Sequence, residues 1–170
     1  MLHVLAAAIV LSLTDVSGAP PTTVARAQLE VVRLFRSIDV DVRWARGAGA
    51  PHAESIHVVL APYERGGLER RLETVLGAAI RTDRGTAIAY VFYRRVEGEA
   101  RQYGSSEPLV LACAIAHEIA HLLMPGRMHS ALGLMRASWG REDFSRAERG
   151  QLRFSDEEAA IIRAKAGDGG

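Results

Sequence analysis

The hydrophobic positions along the chain recur with two periods, which predict strands and helices in alternation. Residues 39–45 alternate valine and tryptophan with aspartate and arginine, the period of a half-buried strand. Apolar residues in 23–37 recur every three or four positions and predict a first amphipathic helix. The segments 55–63 and 86–96 are rich in β-branched and aromatic residues, and we predict two more strands there.

The N-terminal stretch has two interpretations. Ile9 to Thr14 predicts a first core strand that ends at the Gly18-Ala19-Pro20-Pro21 turn, and this is the interpretation we favour. Alternatively, the apolar run from Val4 to Leu13 has the length of a signal peptide, with residues 1–8 as the remnant of a leader. Export to a secreted or periplasmic location is therefore favoured slightly over a cytoplasmic one.

The second half of the chain predicts further helices. Residues 66–80 predict one or two helical turns before a turn at Asp83-Arg84-Gly85. A long apolar helix is expected over 107–123, and a last helix over 155–166, where Ser155 and Glu158 have capping-box spacing. Residues 167–170 are expected to fray.

Composition narrows the functional classes. At 170 residues the chain has the size of one domain, 1–170. Its 21 basic and 20 acidic residues give a net charge of +1, and the arginines are scattered among acids, which argues against a nucleic-acid partner. The single cysteine, Cys113, excludes an intrachain disulfide and is expected to be a buried hydrophobic residue. No apolar run is long enough for a membrane span.

The predicted helix over 107–123 carries the chemistry. It is apolar all round, which is typical of a buried helix, yet it contains His117, Glu118 and His121. At about 100° per residue these three lie on one narrow arc. Two histidines at i and i+4 can converge on one zinc ion, and Glu118 beside them can act as general base on a metal-bound water.

A catalytic zinc site normally has three protein ligands, so a third is needed. Pro125 and Gly126 end the helix, and His129 is the first ligand-type residue after that break, so we predict His129 as the third ligand of a single Zn²⁺. The alternatives share a carboxylate or imidazole group and come from elsewhere in the chain: Glu142, Asp143, Glu148, Glu157, Glu158, His52 and His57.

The residues His117, Glu118, His121, Gly126 and His129 resemble the HExxHxxGxxH motif of the metzincin clan of zinc endopeptidases. The glycine and the third histidine each fall two positions later than in that motif. Met135, at the end of "GLM", resembles the methionine turn of the clan, and "HSALGLMRASW" resembles a segment of small bacterial proteins whose substrates are not established. Trp139 stands near the place of a tyrosine that some metzincins carry.

The resemblance implies an α+β fold with a twisted mixed sheet of four or five strands, the first helix, a buried active-site helix and a C-terminal helix. It also implies hydrolysis of a peptide or protein substrate that lies extended along an edge strand within 86–95. A pocket beyond the scissile bond would be walled by the residues from Met135 to Trp139. The tyrosines that could donate a hydrogen bond to the oxyanion or contact the substrate are Tyr90, Tyr93 and Tyr103.

Two other functions remain compatible with the sequence. One is a gluzincin-like peptidase, in which a glutamate of the last helix is the third ligand. The other is a zinc-stabilised binding module without turnover, in which four protein ligands close the site.

Overall fold

The computed structural model describes residues 7–45, 55–63, 76–126 and 129–167. Within these ranges the chain forms a five-stranded sheet and five helices, a mixed α/β architecture. In chain order the elements are β1 (Ala7–Asp15), α1 (Pro21–Arg36), β2 (Val40–Trp44), β3 (Ile56–Ala61), β4 (Gly77–Arg81), β5 (Ala87–Phe92), α2 (Tyr93–Tyr103), α3 (Glu107–Leu123), α4 (Arg141–Glu148) and α5 (Asp156–Gly167).

The sheet has the strand order β2-β1-β3-β5-β4. Neighbouring strands are parallel except for β4, which runs antiparallel to β5 at the end of the sheet. The register sets buried side chains opposite one another, with Val58 beside Ala89 and Leu60 beside Val91. These side chains belong to the same hydrophobic core as α1 and α3, and α3 contacts both β4 and β5.

Several predictions from the hydrophobic pattern are confirmed. The first helix, the strands over 39–45 and 55–63, and the helix over 107–123 are α1, β2, β3 and α3. The N-terminal stretch forms β1, in agreement with the strand interpretation. Ser155 and Glu158 form the predicted capping box at the start of α5, because each side chain accepts a hydrogen bond from the other residue's backbone N–H.

The prediction of one continuous strand over 86–96 was wrong. The strand β5 ends at Phe92, and α2 begins at the next residue. The helix forms because Tyr93, Val96 and Ala100, spaced by three and four positions, bury one face. The aromatic side chain of Tyr93 and the β-branched side chain of Val96 hid this period behind a composition typical of strands.

Three further expectations need correction. β5 lies between β3 and β4, so it is an interior strand, whereas β4 and β2 are the edge strands among those described. The segment 66–80 ends in the strand β4 where a helical turn was expected, and residues 66–75 of it lie outside the described residues. No helix was predicted between 123 and 155, where the structure has α4, which buries Asp143, Phe144 and Ala147.

The helix α3 is the centre of the core. Every residue from Leu109 to Ala120 is buried, including His117 and Glu118. The helix ends where predicted, and Gly126 just beyond it has a positive φ of 74° that favours glycine. Although α3 is apolar, none of the described helices is both long and apolar enough to cross a membrane.

The capping box of α5 gives a test of the packing at the end of the chain. We expect Ser155→Ala to lower the free energy of unfolding by about 1 kcal/mol, since the backbone N–H of Glu158 loses its hydrogen-bond acceptor. Urea denaturation followed by circular dichroism would measure it. Ser145→Ala on the exposed face of α4 is the control, and an equal effect in both variants would contradict a specific capping role.

Candidate metal centre

Three histidines converge at the C-terminal end of α3. The Nε2 atoms of His117 and His121 are 3.0 Å apart, and the Nε2 atoms of His121 and His129 are 3.2 Å apart. Two nitrogens that bind the same tetrahedral zinc ion at about 2.0–2.1 Å stand about 3.3 Å from each other. The observed spacings therefore fit a shared metal ion, and one ligand atom from each ring lies within 4.8 Å of the others.

The ring of His117 is oriented by a backbone carbonyl. Its Nδ1 lies 2.9 Å from the carbonyl oxygen of Leu134, which can only accept, so Nδ1 carries the proton and Nε2 presents its lone pair to the cluster. Burial lowers the pKa of His117, which favours the neutral ring that metal binding requires. The contact also ties α3 to the segment that follows His129.

Hydrogen bonds to distant elements hold the segment from Ser130 to Met135. The hydroxyl of Ser130, next to His129, donates to the buried carboxylate of Glu158 on α5, and its backbone N–H donates to the carbonyl of Met135 at 2.9 Å. Gly133 has a φ of +81°, and a Cβ built there would lie 2.7 Å from the carbonyl oxygen of Arg153, so the turn requires glycine. Met135 itself is fully buried.

Glu118 lies against the edge strand β4. Its side chain is 6% exposed, and a Cβ built on Gly77 would lie 2.7 Å from Cγ of Glu118 and 2.9 Å from its Oε1. The same Cβ would lie 2.4 Å from the carbonyl oxygen of Tyr90. Further along β4, Arg81 donates a 2.8 Å hydrogen bond to the carbonyl of Leu122 at the end of α3. These contacts fix β4 against α3, and the lack of a side chain at position 77 lets the Glu118 carboxylate lie close to the strand.

The alternative metal ligands are engaged elsewhere. Both carboxylate oxygens of Glu158 accept hydrogen bonds, from Ser130 and from the backbone of Ser155. The other side chains that the structure describes have these places: Asp143 pairs with Arg136, Glu142 with Arg146, Glu148 accepts from Ser105, His57 bonds to Ser12, and Glu157 is exposed. His52 lies outside the described residues.

The aromatic residues predicted at the site have different positions. Trp139 contacts His117 edge to face, with ring centroids 5.5 Å apart. Tyr93 is buried, its hydroxyl donates a hydrogen bond to Glu107, and burial raises the pKa of this hydroxyl. The hydroxyl is therefore held within the core. Tyr90 is a half-buried residue of β5. Cys113 is completely buried, and burial raises the pKa of its thiol to about 12.

A cavity of about 250 Å³ opens beside the histidines. His117 and Glu118 form one wall, and the segment from Arg136 to Trp139 forms another. The helix α2 contributes the other side through Glu99 and Tyr103. Glu99 was missed in the sequence because no helix was predicted after the strand over 86–96, although the spacing of Tyr93, Val96 and Ala100 signals one.

Comparisons with known proteins show a likeness in fold. No protein-family model and no curated protein matches the sequence. Among solved structures, the crystal structure of metalloproteinase-II from Bacteroides fragilis matches with a TM-score of 0.54 and 11% sequence identity. The match covers 95% of this chain and 54% of that chain, so this chain spans about half the length of the structure it resembles. The structural neighbour is a metalloproteinase, and at this identity the likeness shows the fold alone.

The contact between Gly77 and Glu118 can be tested with a pair of glycine substitutions. We expect Gly77→Ala to lower the free energy of unfolding by about 1–3 kcal/mol, because the new methyl group meets a carbonyl oxygen and the Glu118 side chain. Gly98→Ala is the control, since it lies within α2 with open space around it and should stabilise by about 0.5–1 kcal/mol. Thermal unfolding of both variants measures the difference. Equal stability of the two would refute the close approach of β4 to Glu118.

Proposed function

We propose that this protein is a zinc-dependent endopeptidase of the metzincin type, with His117, His121 and His129 as metal ligands and Glu118 as the catalytic base. The observation that carries the proposal is the convergence of three Nε2 atoms beside a buried carboxylate. The fold likeness to a metalloproteinase and the order of the motif residues support it.

The chemistry divides between the metal and the chain. A zinc ion at the three histidines would supply an electrophilic centre that acidifies a water molecule and polarises the peptide carbonyl. Glu118 accepts the proton of that water as it attacks the carbonyl carbon, and then delivers the proton to the leaving amine nitrogen. His117 keeps its orientation through the Leu134 carbonyl, and the buried position of Glu118 favours direct proton transfer over exchange with solvent.

The edge strand β4 is the proposed binding surface for the substrate backbone. Among the described strands it has a neighbour on one side only, and it runs past Glu118 at Gly77. An extended peptide that paired with its outer edge would pass the catalytic carboxylate. Glycine at position 77 lets the Glu118 side chain lie directly against this strand. This assignment replaces the strand within 86–95, which is interior.

The non-catalytic alternative predicts a closed site with four protein ligands. Among the described residues, the group that could hold a metal contains the three histidines alone, and His129 is exposed. This arrangement leaves a coordination position for water, as catalytic zinc sites do.

Met135, proposed as the methionine turn, is buried directly after the residue whose carbonyl orients His117.

The ligand set can be tested by metal analysis. We expect the purified protein to bind one zinc ion per chain, His129→Ala to lower zinc affinity by at least an order of magnitude, and Glu157→Ala to retain it. Competition with a chromogenic chelator would measure the affinities. Loss of zinc in Glu157→Ala with retention in His129→Ala would instead identify the gluzincin-like site.

The effect of replacing Glu118 distinguishes a peptidase from a zinc-stabilised binding module without turnover. We expect Glu118→Gln to keep one zinc ion per chain and to lower kcat for peptide hydrolysis by about 100- to 10,000-fold, because the general base is lost while the ligands remain. Hydrolysis of a fluorogenic peptide mixture, with zinc content measured in parallel, provides the test. Unchanged activity in this variant would overturn the proposed mechanism.

A further inference from the structure

The cavity beside the histidines contains charged side chains of both signs. Its walls include the carboxylate of Glu99 and the guanidinium of Arg136, together with the rings of Tyr103 and Trp139. A cavity of about 250 Å³ is below the usual size of sites for drug-sized ligands and suits a single side chain. Whether the cavity favours an acidic or a basic side chain depends on whether Glu99 or Arg136 is already paired with an opposite charge.

Arg136 is committed to a neighbour. Its Nη1 lies 2.5 Å from Oδ2 of Asp143, a residue of α4 that is 4% exposed. The same carboxylate oxygen accepts a 3.0 Å hydrogen bond from the backbone N–H of Gly140 at the start of the helix. Turning Arg136 towards an anionic ligand would leave a buried carboxylate without its cation, which is costly. Arg136 is therefore a neutralised part of the wall.

Glu99 stands on the opposite side without a cation. Within the part of the chain that the structure describes, no basic side chain pairs with it, although it is partly buried on α2. Burial raises its pKa, which reflects the cost of keeping this carboxylate charged in its surroundings. A cationic group brought into the cavity would remove that cost. Tyr103 and Trp139 add aromatic surface, which also favours a cation.

We infer that Glu99 makes this cavity a binding site for the basic side chain, arginine or lysine, of the substrate residue that follows the scissile bond. The inference rests on the proposed function. Glu118 lines the same cavity, and in the proposed mechanism it delivers the proton to the leaving amine, so the side chain in the cavity belongs to the leaving-group side. Glu99 thus acts as a specificity-determining residue for basic substrates.

The first experiment is a cleavage profile of the zinc-loaded protein on a peptide library with blocked ends and randomised positions around the central bond. We expect arginine and lysine to be enriched directly after the cleaved bonds. A preference for aspartate or glutamate would identify Arg136 as the dominant charge, and an absence of charge preference would show that the cavity is neutral. Either of these results would overturn the inference and leave the proposed hydrolysis intact.

The second experiment tests Glu99 with citrulline, a neutral isostere of arginine. Two peptides are compared that differ only in arginine or citrulline after the cleaved bond. We expect Glu99→Gln to lower kcat/KM for the arginine peptide about ten- to a hundredfold, the range for a hydrogen bond to a charged group, and to leave the citrulline peptide unchanged. Glu97→Gln, on the same helix but outside the cavity, is the matched control. Equal losses on both peptides would contradict a charge-selective role.

A binding measurement separates this inference from the proposed function. Calorimetry with the same two peptides and the zinc-loaded Glu118→Gln variant, with and without Glu99→Gln, reports the preference of the cavity without turnover. If no peptide is hydrolysed but the arginine peptide binds more tightly in a Glu99-dependent manner, the basic site is retained and the peptidase proposal falls. If peptides are neither hydrolysed nor bound with this preference, both proposals fall.

Discussion

The architecture depends on one constraint, the burial of a helix that is apolar on every side except for a short polar arc. The helix α3 lies in the core, where it packs against α1, β4 and β5, and two of the three polar residues of its last turns are buried with it. Buried imidazole and carboxylate groups need partners, because without them the cost of removing them from water is several kcal/mol each. The neighbouring elements supply a carbonyl for His117 and a third imidazole at the cluster, and Gly77 of β4 leaves room for the Glu118 side chain.

The partners come from widely separated parts of the chain. The edge strand β4 contributes its glycine and an arginine that binds the end of α3, while the segment after His129 is fixed by a glutamate of α5. The helix α4 neutralises the arginine in the cavity wall. A short motif on one helix therefore acquires its geometry from four other elements, which is the usual way in which a rigid scaffold positions a small number of reactive groups.

The sequence predicted the parts of the fold whose side chains repeat with a clear period. The first helix, the alternating strand β2 and the apolar helix α3 have one dominant period each, and all three are present. The transition at Phe92 was not predictable from composition, because Tyr93 and Val96 suit a strand as well as a helix and the choice is made by tertiary packing. The place of β5 inside the sheet depends on its pairing with β4, a non-local contact that no local pattern encodes.

The site residues were likewise predicted where local spacing was sufficient and missed where tertiary packing was decisive. His117, Glu118 and His121 share one helix, so their spacing alone determines that they share a face. The proximity of His129 was inferred from the helix break at Pro125 and Gly126, and the structure brings its ring to the cluster. Glu99 and Gly77 could not be found in this way, because their relevance comes from the placement of α2 and β4 around α3.

The hydrogen bond between Ser130 and Glu158 has a consequence for the order of events during biosynthesis. The chain leaves the ribosome from its N terminus, so α3 and its two histidines emerge well before α5. The segment that carries His129 acquires its anchor once α5 has docked against β1 and α3. Until then the segment lacks this hydrogen bond and keeps its contacts to α3 and to Arg153. The last helix would thereby link completion of the tertiary structure to the final geometry of the candidate metal centre.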